Sequence, residues 1–264
     1  MAIPKKIHYC WFGGNPLPKM AIKCIKSWKK HCPDYEIIEW NESNFDVNQN
    51  EYCKEAYEAK KWAFVTDYAR LAILHKHGGV YFDTDVELIR NIDALLENAC
   101  FMGIEKSIRV IEVASGLGLG AEAGHPLIKE IMDDYENIHF LKEDGTFDLT
   151  TCTVRNTRVL RKYGYCDEDR TQTVAGATIY ATEYLSPVEM ESGLIKKTKN
   201  TLSIHHYGLS WTTEEKRLAR KKSLLKIRIS NFFYNIKVLP NKIMRFLIGK
   251  KRYDALKNRI KKGE

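Results

Sequence analysis

His77-Gly78-Gly79-Val80-Tyr81-Phe82-Asp83-Thr84-Asp85 is the stretch on which the reading of this chain turns. The glycine pair stops a preceding helix where a positive φ is needed. A short apolar run follows, and two aspartates come at i and i+2. Carboxylates so spaced at the end of a buried strand can approach one divalent cation, one bound directly and the other through water or a sugar hydroxyl. Mg²⁺ and Mn²⁺ favour such oxygen ligands. The pair alone has little specificity. With 13 aspartates in 264 residues, roughly one Asp-x-Asp arises by chance, and a second, Asp167-Glu168-Asp169, does occur. No apolar strand leads into that second triplet, so it reads as a solvated loop. For the first triplet the competing reading is a turn-forming pair after a strand, and the surroundings decide.

Upstream lies Lys61-Trp62-Ala63-Phe64-Val65-Thr66-Asp67-Tyr68-Ala69-Arg70-Leu71. Asp67 and Arg70 stand at i, i+3 on one helix face, with apolar Val65, Ala69, Ala72 and Ile73 able to bury most of the rest. An exposed pair of this kind contributes only about 0.3–0.5 kcal/mol; a pair one short loop before an acidic triplet suggests a site. Further out, Lys6 to Phe12 alternates as a first strand and is stopped by Gly13-Gly14-Asn15-Pro16. A helix over 19–30 and a strand over 35–40 complete a parallel strand–helix–strand unit. Residues 51–77 read as largely helical. Strands are expected over 101–104, 110–113 and 201–207, and helices over 126–135 and 151–162. The glycine-rich Ser115-Gly116-Leu117-Gly118-Leu119-Gly120 does not follow the first strand as a dinucleotide loop does. It reads as a close-packed strand and turn.

Charge divides the chain. Residues 216–264 hold 17 Lys and Arg against 2 acids, whereas residues 1–215 hold 25 against 32. An acidic body excludes one uniformly basic nucleic-acid module, and no nucleic-acid partner is expected. Hydrophobic residues at 44% and aromatics at 11% exclude wholesale disorder. No run of about 18 apolar residues is present, and the amino terminus lacks the apolar core of a signal peptide. Seven cysteines without a CxxC pair read as reduced thiols. The expected division is a catalytic domain over 1–212 and a basic, amphipathic helical tail over 213–264. Lysines and arginines among large apolar residues give that tail the composition of an interfacial helix. An anionic membrane surface is its expected partner, which makes the protein cytoplasmic and peripheral on the inner face of the membrane.

Thr66-Asp67-xx-Arg70, followed by His77 to Asp85, resembles glycosyltransferase family 32, the DXD sugar transferases of capsule and surface-polysaccharide synthesis. The glucosylating domains of clostridial toxins are distant relatives. Ile3 to Gly14 and His205-His206-Tyr207-Gly208-Leu209-Ser210-Trp211 are similar to that family's opening strand and late motif, in the expected order. The resemblance implies an α/β, Rossmann-like GT-A fold and a metal-dependent glycosyltransferase with a nucleotide-sugar donor, UDP-linked, a glycan or lipid-linked acceptor, and retention at the sugar carbon. It implies that Trp11 stacks on the base, that Asp67 binds hydroxyls of the donor sugar and that Arg70 binds the sugar or a phosphate. Tyr81 lines the donor site, and Asp83 holds the ribose or the sugar and reaches Mn²⁺ or Mg²⁺ through water. Asp85 ligates the metal directly, and Ser210 and Trp211 cover the diphosphate. A late histidine completes the metal site; His205 and His206 face opposite ways on a strand, with His205 preferred and His206 the alternative. Residues 151–158 lack the Gly-Pro turn common near the sugar pocket of such enzymes. Two other classes compete. Phe82-Asp83-Thr84-Asp85-Val86 also resembles the first motif of haloacid-dehalogenase phosphatases, with Asp133-Asp134 as a later acidic pair. The third reading is a non-catalytic membrane- or polyanion-binding protein that works through its tail.

Overall fold

A computed structural model describes residues 3–208 continuously, together with 215, 218–227, 229–230, 246, 249–250, 252 and 254. Ser210, Trp211 and most of the basic tail lie outside the described residues. The chain divides into two units, Met1–Thr212 and Thr213–Glu264. In the second, residues 218–227 are helical.

The first unit begins with β1 (Lys6–Cys10), α1 (Lys19–His31) and β2 (Glu36–Trp40). Strands β1 and β2 pair in parallel, as expected. Helix α1 buries Ala21, Cys24 and Trp28, the i, i+3, i+7 stripe of an amphipathic helix. Its Trp28 indole donates to the Val86 carbonyl at 2.7 Å. The helical stretch expected over 51–77 is two helices, α2 (Glu51–Glu58) and α3 (Trp62–His77). The break falls at Lys60, whose φ is +57°. A left-handed residue ends a helix, and a lysine there gives no sequence signal. At the far end of α3 the Gly78 N–H closes on the Leu74 carbonyl at 2.9 Å with φ +61°, the expected glycine stop.

Next come β3 (Gly79–Tyr81), β4 (Val86–Leu88), β5 (Cys100–Lys106), β6 (Ile111–Ala114), β7 (Leu119–Ala121), α4 (Pro126–Asp133) and α5 (Cys152–Arg161). The described first unit ends with β8 (Gln172–Val174), β9 (Ala177–Tyr180), α6 (Thr182–Leu185), β10 (Val188–Glu189), β11 (Leu194–Ile195) and β12 (Ser203–His205). The main sheet runs β2-β1-β3-β7-β5-β9-β8, with β6 on β5. It is mixed. The β2-β1-β3 half is parallel, and β7 enters antiparallel between β3 and β5. Strand β12 does not join it; it forms a separate antiparallel ribbon with β4. One core lies on the side of α2, α3, α4 and α5, and a second on the side of α1.

Buried His8 ties the first strand to the glycine turn. Its Nδ1 accepts from the Trp40 indole at 3.0 Å, so Nε2 carries the hydrogen and donates to the Gly78 carbonyl at 2.9 Å. Burial lowers the His8 pKa to about 4, which keeps the ring neutral in this role. On the other side Arg155 is 3% exposed. It reaches Asp134 at 3.3 Å and also pairs with Asp148, and its guanidinium lies over Tyr135 at 5.1 Å. Removing one member of a buried ionic set leaves the others uncompensated. Arg155→Ala is therefore expected to destabilise the protein by about 3–5 kcal/mol in urea denaturation; a loss below about 1 kcal/mol would contradict this anchoring role.

Candidate functional site

The site forms where the parallel strands end. Strands β1 and β3 pair His8 with Tyr81, so the residues that follow each strand leave the sheet at the same edge. Ligands of open α/β sheets bind at this edge. Strand alternation puts Tyr81 and Asp83 on the α3 side, and the Tyr81 hydroxyl donates to Asp83 Oδ1 at 3.0 Å.

Helix α3 supplies the positive charge. Arg70 is 3% exposed and Asp67 6%, so the surface ion-pair reading does not hold. One guanidinium nitrogen of Arg70 lies 3.0 Å from Asp67 and 3.4 Å from Asp83. The same nitrogen donates to the Thr66 hydroxyl at 3.1 Å, the other two donate to the Thr66 carbonyl at 2.9 Å and the Ser115 hydroxyl at 3.2 Å, and the group lies over the Tyr81 ring at 4.9 Å. Burial pushes the Asp67 carboxyl up to about 6 against the pull of Arg70. Gly116 completes the wall: a Cβ there would come within 2.0 Å of an Asp83 oxygen, and its carbonyl accepts the Asp83 N–H at 3.0 Å. The glycine-rich stretch at 115–120 thus sits against the acidic triplet. Thr66, Ser115 and Cys152, whose sulfur lies 3.8 Å from Arg70, join the site; the sequence motifs include Thr66 and Ser115 without giving either a role, and nothing in them marks Cys152.

The ribbon supplies the histidine. Register places His205 opposite Val86, next to Asp85. His205 Nε2 lies 2.9 Å from Asp85 Oδ1, and the Gly208 N–H donates to Asp85 Oδ2 at 2.7 Å. His206 turns away to Glu87 at 2.8 Å. Donor atoms of Asp83, Asp85 and His205 all lie within 4.8 Å of one another, the one such group among the described residues. Two carboxylates and an imidazole fit a divalent cation with a preference for oxygen. The remaining ring nitrogen of His205 is buried without a hydrogen-bond partner. Trp11 emerges at the same edge, and its indole donates to the Asn15 carbonyl at 2.5 Å. The second triplet is a loop, with Asp167 paired to Arg161 and Asp169 to Lys106. Asp133 and Asp134 pair with Lys129 and with Arg155 and Arg158. They do not join Asp83, which leaves the phosphatase reading without its later acidic pair.

The sheet is mixed, with an Asp-x-Asp past the carboxyl end of one of its parallel strands, the α/β arrangement that the resemblance implies. Residues 18–102 match the family described as glycosyltransferase sugar-binding region containing DXD motif, and Asp67, Arg70, Asp83 and Asp85 lie inside the matched stretch. It is similar to inositol phosphoceramide mannosyltransferase 3 of Schizosaccharomyces pombe, 27% identical over 149 residues, which are 53% of this chain and 39% of the relative. It is also similar to uncharacterized glycosyltransferase L373 of Acanthamoeba polyphaga mimivirus, 28% identical over 160 residues, which are 57% of this chain and 61% of the relative. Among solved structures, the PaToxG glycosyltransferase superposes with a TM-score of 0.47 at 18% identity, covering 61% of this chain and 70% of that one. The chain spans about two-fifths to three-fifths of the length of these two curated relatives.

Charge couples Asp85 and His205. Burial alone lowers the His205 pKa, but Asp85, with Asp83 and Glu105 behind it, outweighs burial and holds it up at about 9. Burial alone raises Asp85, and His205 and the Gly208 N–H outweigh that, to about 2. The histidine's contribution to stability is complete below its unfolded pKa and fades as pH rises through about 9. The aspartate's is complete above its unfolded pKa and fades as pH falls through about 2. Both are complete between about pH 4 and 6.5. In metal-free protein, NMR titration of His205 is expected to give a midpoint near 9. Asp85→Asn is expected to bring that midpoint down toward the ordinary imidazole value of about 6.5; a midpoint unmoved in the variant would exclude Asp85 as its cause.

Proposed function

We propose that the protein is a metal-dependent glycosyltransferase that moves a sugar from a UDP-linked donor to a glycan or lipid-linked glycan, with retention at the sugar carbon. The observation that carries this reading is the convergence of Asp83, Asp85 and His205 beside the buried Arg70–Asp67 pair. Asp85 and His205 would hold Mn²⁺ or Mg²⁺ directly and Asp83 through water. When bound, the ion supplies positive charge to the departing diphosphate.

The protein's own groups do the positioning. Asp67, fixed by Arg70, offers its carboxylate to hydroxyls of the donor sugar. Every nitrogen of the Arg70 guanidinium already faces a protein group. Its role is to hold Asp67 and Asp83 in place and to lend positive potential where negative charge develops. Tyr81 orients Asp83 through its hydroxyl. Ser210 and Trp211, a few residues past Gly208, would cover the diphosphate. Attack from the same face as the leaving group, with the departing phosphate accepting the acceptor's proton, accounts for retention without a protein nucleophile.

Asp85→Ala is expected to lower metal-dependent hydrolysis and transfer of the donor sugar by ~10²-fold or more, with circular dichroism unchanged and Tm lowered by the loss of the Asp85–His205 pair. A wild-type rate in that variant would overturn the assignment. The basic tail would bring the protein to the anionic inner face of the membrane, where a lipid-linked acceptor lies; each base near such a surface contributes about 1 kcal/mol. Deleting residues 213–264 is expected to abolish sedimentation with phosphatidylserine vesicles, and undiminished sedimentation would contradict the anchoring role.

A further inference from the structure

Two β-hairpins stand at the edge of the sheet where the site opens. Strands β3 and β5 each pair antiparallel with β7, so they run the same way and end at the same edge. Register puts Val80 and Phe101 level, both opposite Gly120. Beyond that level β3 continues for one residue, to Tyr81, and β5 for five, to Lys106. The four extra residues carry β5 about 13 Å past the end of β3. Over its last three residues β5 pairs with β6 alone among the described strands. Glu105, on this extension, is within electrostatic reach of Asp83 and His205, so the hairpin walls one side of the site.

The tip of that hairpin has its backbone well satisfied. The Ser107 N–H donates to the Val110 carbonyl at 2.9 Å, and the Ser107 hydroxyl accepts the Val110 N–H at 3.2 Å. The second hairpin, β10–β11, meets it tip to tip, where Glu191 accepts the Ile108 N–H at 2.6 Å. Ile108 is 83% exposed, Leu194 55%, Val110 49% and Ile195 39%. Turns ordinarily carry polar residues. Large apolar side chains gathered on two touching hairpins mark a contact surface.

Charge says what that surface contacts. The acids beside it are engaged: Asp169 with Lys106, Glu189 with Lys196 and Glu191 with the Ile108 N–H. Arg109 and Lys197 are exposed and have no ion-pair partner among the described residues. Apolar side chains beside uncompensated bases suit an anionic bilayer. The apolar groups enter the acyl boundary while the bases stay with the headgroups.

We propose that these two hairpins form a membrane-contact rim that seats the open edge of the site on an anionic phospholipid bilayer, independently of the basic tail. The use of the rim, an acceptor met at that surface, rests on the transferase reading above; the contact itself does not. The test compares full-length wild type with Ile108→Glu/Leu194→Glu and with Met20→Glu/Ile22→Glu, by sedimentation with phosphatidylcholine–phosphatidylserine vesicles. The second pair places the same two charges on α1, at residues 41% exposed, and so controls for net charge.

The hairpin variant is expected to bind vesicles about tenfold or more weakly, since binding of this kind scales with the apolar area buried. The α1 variant should stay within about twofold of wild type. Both should keep the wild-type circular dichroism and Tm, because the substituted side chains are exposed. Ile108→Trp and Ile22→Trp give a second readout: bromine-labelled acyl chains should quench the added fluorescence of the first and not of the second. Equal loss in the two glutamate variants, or none in either, would overturn the proposal, as would equal quenching of the two tryptophans. So would a concentration-dependent dimer lost in the hairpin variant while vesicle binding persists, which would make the rim an interface between copies of the chain. Donor hydrolysis in solution should be unchanged in the hairpin variant. Its absence from the wild type would overturn the transferase reading and leave the rim standing.

Discussion

Arg70 carries a full positive charge with 3% of its surface exposed, and the architecture around it follows from satisfying that charge. Burying an ion is tolerated only where opposite charge and hydrogen bonds replace water. Asp67 comes from the same helix, Asp83 from the end of β3, Thr66 from the preceding turn and Ser115 from the glycine-rich loop. One side chain therefore joins α3, β3 and the segment between β6 and β7. Gly116 belongs to the same constraint, because any larger residue would fill the space the Asp83 carboxylate occupies.

A second balance stands beside the first. Asp85 lies outside the reach of Arg70 and is matched by His205 from the ribbon that β12 makes with β4. Three contacts from the 205–208 segment converge on this one aspartate: the imidazole, the His206 N–H to the Asp85 carbonyl at 3.0 Å, and the Gly208 N–H to its carboxylate. The two aspartates of the triplet thus have different keepers, an arginine that never leaves the protein and a histidine whose proton a metal ion can replace.

How much of this the sequence holds follows from spacing. Asp67 and Arg70 at i, i+3 and Asp83 and Asp85 at i, i+2 are short-range relations, and the opening strand–helix–strand unit has clear periodicity; all were legible. The choice between His205 and His206 is one of register. Both are on one short strand, and only pairing with Val86 says which faces Asp85. Three-residue strands such as β7 and β8 are too short to show a period of two, so the antiparallel entry of β7 and the β8–β9 edge went unread, while the strands at 101–104 and 110–113 were legible. Lys60 breaks the long helix without a glycine to announce it.

Anomalous diffraction from crystals of the protein grown with Mn²⁺ and UDP tests the central claim most directly. The expected result is a manganese peak bonded to the Asp85 carboxylate and a ring nitrogen of His205, with Asp83 one water away and the diphosphate on the open side of the ion. A peak held by other residues, or an Asp85–His205 pair still joined to each other with no peak between them, would contradict it.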